Sequence, residues 1–284
     1  MMTHPESIRI GVTGASGFIG SHLATALKEY GKVVTLSRNR SLPTQAQLKN
    51  FASGVELFFH LGGVNRGTDE EILEGNITGT LRLLEAIQKY GKPSAKILFA
   101  SSTQVYRLKK SGGKISETSP LRPETVYGIS KKSAEDLIRI SGLPHTILRL
   151  ANVYGPGCRP NYNSVVATLC QRAKKNLPLL INGKGSQGRD FIFIDDVVQA
   201  FLLAGFHGKS GGRKVYNISS GRITTLKKIV NTIKRIEKGI TVEFKAEAED
   251  KISYCCDAMR FKRDFGWKPR TTLDQGIERS LKYF

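Results

Sequence analysis

Tyr127 and Lys131 stand four residues apart in the stretch Tyr127-Gly128-Ile129-Ser130-Lys131, inside a helix-like run from Val126 to Ile140. On a helix, residues four apart share a face one turn from each other, so the phenol and the ammonium can address one small volume. Free tyrosine titrates near about 10 and is a poor base at neutral pH. A cation beside it favours the phenolate, which makes tyrosine usable for moving a proton on and off a hydroxyl. The same spacing is common in solvated surface pairs. The order of the signals around it carries the reading.

Upstream, Ile8 to Thr13 is a short apolar strand that runs directly into Gly14-Ala15-Ser16-Gly17-Phe18-Ile19-Gly20 and then a helical pattern of Leu23, Ala26, Leu27 and Tyr30. Strand, glycine turn and helix in that order suit a dinucleotide pyrophosphate. The missing side chains let backbone N–H groups approach it, and the helix N-terminus adds favourable dipole. The next strand, Lys32 to Leu36, ends in Ser37-Arg38-Asn39-Arg40. An acid here selects NAD through the ribose hydroxyl, whereas Ser37 with Arg38 suits a 2′-phosphate, so NADP is expected ahead of NAD.

Val55 to Leu61 is a nearly unbroken apolar run, and Ala95 to Ala100 is a strand ending in Ser101-Ser102-Thr103. Between them Glu70 to Tyr90 reads as one long amphipathic helix, and His145 to Leu150 is a further strand ending in Ala151-Asn152. Alternating strands and helices predict an α/β fold with a Rossmann-type doubly wound parallel sheet and a second, smaller α/β lobe. Ligands bind beyond the carboxyl ends of such strands, where the Ser101–Thr103 hydroxyls fall. Past Gly157 the pattern loosens. It gives helices at Ser164–Lys175, Leu226–Ile236, Met259–Phe265 and Leu273–Phe284, a strand running into a helix around Asp195 as N-cap, and strands at Leu179–Ile181 and Val215–Ile218. Residues 1–151 plus about 190–216 are expected to form the dinucleotide-binding domain, and 152–189 plus 217–284 the substrate lobe.

With these motifs in sequence, the chain resembles the extended short-chain dehydrogenase/reductases, and specifically the NAD-dependent epimerase/dehydratase family acting on nucleotide sugars. The resemblance also rests on His60-Leu61-Gly62-Gly63, Asn76-Ile77-Thr78-Gly79-Thr80, Asn152-Val153-Tyr154-Gly155-Pro156 and Arg189 to Val197. It implies that Tyr127 exchanges the proton of a sugar hydroxyl, that Lys131 binds the nicotinamide ribose and lowers the tyrosine pKa, and that Ser102 hydrogen-bonds the reacting oxygen. It places Gly14, Gly17, Phe18, Ile19 and Gly20 on the pyrophosphate, with Ser37, Arg38, Leu61, Gly62 and Gly63 also lining the cofactor. Ser102, Thr103, Asn152 and Arg189 would face the nucleotide-diphosphate sugar, Arg189 on its diphosphate. Asn76 is read as structural. A homodimer is implied, through the Glu70–Tyr90 and Val126–Ile140 helices.

Four departures qualify the resemblance. Thr103-Gln104 replaces the acidic residues that assist water loss in the dehydratases, and a neutral pair cannot deliver that step. Only Ser41 to Gly54 joins the second strand to Val55, where the family fits a helix, another strand and an adenine-contacting Asp. Glu247-Ala248-Glu249-Asp250 stands where a second diphosphate-binding Arg is usual, and Gly62-Gly63 replaces an alanine pair. The expected activity is therefore hydride transfer at a sugar ring carbon, C4, as a 4-epimerase or a 4-ketoreductase.

The chain has 44 basic and 24 acidic residues among 284, a net charge of +20. The basic residues are scattered pairs rather than a block alternating with aromatics, which fits a phosphorylated substrate better than nucleic acid. The rival reading is a binding protein on the same scaffold, an NADP sensor or an RNA binder. No apolar run has membrane length, the N-terminus lacks a signal-peptide pattern, and Cys158, Cys170, Cys255 and Cys256 show no paired spacing. No metal and no membrane are expected, and a cytoplasmic location is.

Overall fold

The computed structural model describes residues 8–36, 41–107, 114–162, 164–207, 214–245 and 253–284. The chain divides into two units. The first takes the described residues within Met1–Arg107, Pro120–Arg149 and Val198–Tyr216, and the second those within Leu108–Ser119, Leu150–Val197 and Asn217–Phe284. Relative to the boundaries read from sequence, Lys114 to Ser119, Leu150 and Ala151, and Asp190 to Val197 lie in the second unit.

The first unit is built on strands β1 (Arg9–Thr13), β2 (Lys32–Leu36), β3 (Leu57–His60), β4 (Lys96–Ser102), β5 (His145–Leu150) and β6 (Lys214–Ile218), of which Leu150, Asn217 and Ile218 count with the second unit. They form one six-stranded sheet in the order β6-β5-β4-β3-β1-β2. β1 pairs in parallel with both β2 and β3, and β3 with β4, Thr13 standing level with His60. Strand order reverses on either side of β1, so the carboxyl ends of β1 and β3 flank the switch point where open α/β sheets bind ligands.

Helix α1 (Phe18–Leu27) follows the glycine turn, and α2 (Gln45–Ala52) starts at a Thr44–Gln47 capping box. Here the Ser41–Gly54 departure takes form: a single helix of 8 residues replaces the expected helix and strand, and β2 is left as the sheet edge. Its Leu48, Phe51 and Ala52 bury against Val55, Phe58, Leu84 and Ile87. Core burial at roughly 25 cal/mol per Å² of apolar surface makes this short helix a full member of the first unit.

The Glu70–Tyr90 run is not one regular helix. It comprises α3 (Asp69–Leu73), capped by Thr68, then a π turn over Glu74–Thr78, then α4 (Gly79–Tyr90). The π turn carries Asn76, which is 2% exposed and whose side chain accepts from Val64 N–H and donates to Val64 O and Ser130 Oγ. Satisfying a buried amide from three sides is a physical reason for interrupting the helix there. Helix α5 (Val126–Ile140) begins at Thr125, whose hydroxyl accepts from Gly128 N–H, and buries Ala134 and Ile138 against the sheet.

The second unit carries short two-stranded ladders. Asn152–Tyr154 pairs with Phe191–Phe193, Gly188–Arg189 with Thr224–Thr225, Leu179–Asn182 with Val242–Lys245, and Lys114–Ile115 with Cys255–Cys256. Asp190, fully buried, ties three of its segments together by accepting from Ser220, Gly221 and Cys256 backbone N–H groups. Asp195 is not an N-cap. The helix starts at Ile194, so Asp195 and Asp196 lie in its first turn, where the dipole favours acids, and Asp196 accepts from the Arg270 and Thr271 amides. Among the described residues no helix is long and apolar enough to cross a membrane, and no group of His, Cys, Asp and Glu could hold a metal ion.

Candidate active site

The turn after β1 is shaped for a phosphate. Gly14 has φ +70°, and a Cβ there would lie 2.7 Å from Gly62 N, while one at Gly20 would lie 2.0 Å from Gly14 O. Only glycine permits that left-handed bend and that approach. Gly17 N–H donates to Gly14 O at 2.9 Å, and α1 begins at Phe18 with no side chain capping it and no acid in its first turn. Gly17, Phe18, Ile19 and Gly20 therefore present a helix N-terminus with its dipole uncompensated by protein charge, a fit to an anionic dinucleotide. Leu61, Gly62 and Gly63 run alongside, Leu61 N–H donating to Thr13 O at 3.3 Å. Ser37 and Arg38 lie outside the described residues.

A chain of hydrogen bonds holds this turn to β3. Gly62 N–H donates to Thr13 Oγ1 at 2.9 Å, Thr13 Oγ1 lies 2.7 Å from His60 Nδ1, and His60 Nε2 lies 2.9 Å from Thr80 Oγ1. The Thr80 hydroxyl donates to Asn76 O at 2.6 Å, so it must accept from His60 Nε2–H, and Nδ1 must accept from Thr13. Burial and the nearby Lys131 charge push His60 down to about 3, keeping the imidazole neutral as this chain requires.

Ser102 ends β4, and Tyr127 and Lys131 come from α5. Gly128 lets the two elements meet, since a Cβ there would stand 2.5 Å from Gln104 O. The Ser102 side chain lies near enough to the Tyr127 phenol to favour its ionised form, and Ser102 Oγ accepts from Gln104 N–H at 3.2 Å. Lys131, 5% exposed, donates from Nζ to Ala100 O at 3.0 Å and sits 5.9 Å from the Tyr127 ring centroid. A Cβ on Gly63 would be 3.3 Å from Lys131 Nζ, which brings the glycine loop and the α5 pair into one place. Thus Ser102 of β4 meets Tyr127 and Lys131 of α5 beside the turn.

The electrostatics correct one expectation. Desolvation pushes Tyr127 up to about 12, and the group that opposes this is Ser102, not Lys131. Lys131 itself is pushed down to about 8 by burial, against the raising effect of Glu135. Burial therefore holds the tyrosine as a neutral phenol, while Lys131 Nζ donates to Ala100 O.

Thr103 is buried at the start of a tight turn, and Gln104 accepts from the Thr125 hydroxyl at 3.2 Å, so neither offers an acid. Asn152 and Arg189 belong to the second unit. Asn152 Nδ2 donates to Asp190 O at 3.0 Å, and Arg189 donates to Gly188 O while its guanidinium lies 5.3 Å from the Tyr254 ring centroid. Sequence reading missed Thr13 as the partner of Gly62, and also Glu135 and Arg149, to which Ser101 is tied. The available signal was that Glu135 continues the Tyr127, Lys131 spacing by one more turn.

The sequence model of the NAD dependent epimerase/dehydratase family matches residues 10–219. The chain belongs to that family. Its fold is that of the extended short-chain dehydrogenase/reductases. A UDP-2-acetamido-2,6-beta-L-arabino-hexul-4-ose reductase of Pseudomonas aeruginosa is 35% identical over 202 residues, 69% of this chain and 49% of that protein. The chain thus matches about half the length of that reductase. A putative UDP-glucose 4-epimerase of Methanocaldococcus jannaschii is 28% identical over 306 residues, covering 96% of this chain and 97% of the relative. Among solved structures, a UDP-glucuronic acid 4-epimerase from Bacillus cereus, in complex with UDP-glucuronic acid and NAD, superposes with a TM-score of 0.85. It is 26% identical, over 97% of this chain and 98% of that one.

Proposed function

We propose that this family member is a nicotinamide-dependent nucleotide-sugar enzyme that moves a hydride at a ring carbon, C4, as a 4-epimerase or a 4-ketoreductase. The observation that carries the reading is buried Lys131, held by Ala100 O at the end of β4, 5.9 Å from the Tyr127 ring and against Gly63 beside the glycine turn. The nicotinamide dinucleotide, when bound, supplies the hydride acceptor or donor. Gly14, Gly17, Gly20 and the Phe18 and Ile19 amides would hold its pyrophosphate, and Leu61, Gly62 and Gly63 would flank it.

The protein's own part is proton handling. A tyrosine kept neutral by burial donates its proton to the oxygen of a 4-keto sugar as charge develops there, with the Ser102 hydroxyl as the second donor to that oxygen. In the oxidative direction the Tyr127 phenolate left by that donation receives the hydroxyl proton, with the Ser102 hydroxyl again hydrogen-bonding the reacting oxygen. Thr103 and Gln104 supply no acid, which disfavours dehydration. Asn152 and Arg189 are proposed to take the nucleotide-diphosphate sugar, the guanidinium fork suiting a diphosphate. The solved relative holds NAD, whereas NADP is proposed here on Ser37 and Arg38 alone. A homodimer and a cytoplasmic location belong to the same proposal.

The test is to incubate the purified protein with UDP-glucose, UDP-galactose and their uronic acids and follow the sugar signals by proton NMR, with parallel assays of NADH and NADPH oxidation against a nucleotide 4-keto sugar. Inversion at C4 or cofactor oxidation supports the reading. Salt-sensitive RNA binding with neither activity supports the non-enzymatic rival.

A further inference from the structure

A closed cluster of four polar side chains in the first unit is not used by the chemistry above. Arg149 clasps Glu135 through Nε to Oε1 at 2.9 Å and Nη2 to Oε2 at 2.6 Å, and its Nη1 donates to Tyr106 OH at 2.9 Å. The Ser101 hydroxyl donates to Glu135 Oε1 at 2.5 Å. The side chains of Glu135 and Arg149 are 0% and 4% exposed. A buried ion pair is weak evidence for stability, because apolar side chains of similar volume serve as well or better. Its location suggests another use. Glu135 follows Lys131 by one helical turn and Tyr127 by two, and Ser101 is the residue before Ser102. Its carboxylate therefore fastens α5 to the end of β4 at the point where the reacting hydroxyls must meet.

We propose that Glu135 is a positioning residue. Through Ser101 and the Arg149 clasp it fixes Tyr127 and Lys131 against Ser102. The link from this geometry to turnover rests on the function proposed above. The charges and titrating groups around Glu135 and Lys131 are Lys132 on the same helix, Arg149 on β5, Tyr106 after β4, His60 on β3 and Tyr127 itself. Burial opposes the charge on Lys131, and Glu135 is the group that counters it. Arg149 stays cationic throughout.

The experiment follows Lys131 directly, by ¹³Cε NMR of lysine-labelled protein with Lys131→Met for assignment, alongside turnover of Glu135→Gln, Ser101→Ala, Ser101→Thr and Tyr127→Phe. In Glu135→Gln the Lys131 midpoint should fall by about one pH unit, roughly the effect of one charge at a partly shielded site. In Ser101→Ala the carboxylate remains, so the midpoint should stay while kcat drops about tenfold at unchanged KM, with Ser101→Thr restoring it. An unmoved midpoint in Glu135→Gln, or full turnover in Ser101→Ala, overturns the proposal. If Glu135→Gln does not fold, the Ser101 pair decides. Retained turnover in Tyr127→Phe together with a shifted Lys131 midpoint would instead refute the functional reading and leave the electrostatic coupling standing.

Discussion

Lowering the pH from 7.5 to 4.5 should weaken this protein through His60, by an amount set by its position. The ring is 4% exposed and pushed from an ordinary 6.5 to about 3. Below 6.5 the unfolded chain takes up a proton on His60 that the folded chain refuses until about 3. The contribution is therefore complete above 6.5 and is lost as pH falls toward 3. At pH 4.5, two units below the ordinary value, the loss comes to about 2.7 kcal/mol at roughly 1.36 kcal/mol per unit. The structural reason is the direction of the hydrogen bonds. A protonated Nδ1 would have no lone pair for the Thr13 hydroxyl, which would then lose its acceptor while still holding Gly62 N–H. The assay is urea unfolding of the native protein and of His60→Asn at both pH values. Titrating carboxylates cancel in the comparison, so the stability gap between the two proteins should narrow by about 2.7 kcal/mol on acidification. Parallel curves with a constant gap would refute the reasoning, as would ¹⁵N shifts showing a charged or Nδ1-protonated ring at neutral pH.

Further outcomes follow from the same geometry. Gly20→Ala places a methyl 2.0 Å from Gly14 O, and cofactor affinity measured by fluorescence titration should fall by at least about tenfold. Lys131 is depressed to about 8 from an ordinary 10.5, so its burial costs stability fully below 8 and less as pH rises toward 10.5. Lys131→Met should therefore unfold at higher temperature than the native protein near pH 7 and lose that advantage by pH 10.5, read by thermal denaturation. If Arg38 meets a 2′-phosphate, Arg38→Ser should raise KM for NADP about tenfold with KM for NAD unchanged.

The glycine turn and the Tyr127–Lys131 pair were legible because each is local. Gly14, Gly17 and Gly20 sit within one strand–turn–helix unit, and the four-residue spacing on α5 survives any packing arrangement. The π turn at Glu74–Thr78 was not legible, since apolar periodicity runs through it and only the side-chain partners of Asn76 demand it. The ladders of the second unit are two to four residues long and take their register from tertiary hydrogen bonds such as those of Asp190. Glu135 drew no reading from the sequence because its partner, Arg149, lies in an otherwise apolar strand that sequence alone cannot place opposite it. The expectation that Lys131 would lower the tyrosine pKa came from spacing, which does not reveal that Nζ is held by Ala100 O.

The most direct test is a single-turnover measurement at saturating nucleotide sugar, following nicotinamide absorbance at about 340 nm in the native protein and in Tyr127→Phe. Loss of a positioned proton carrier should slow the hydride step by about 10²–10⁴-fold with substrate affinity retained. A Tyr127→Phe enzyme whose hydride step runs within about twofold of the native rate would contradict the central assignment.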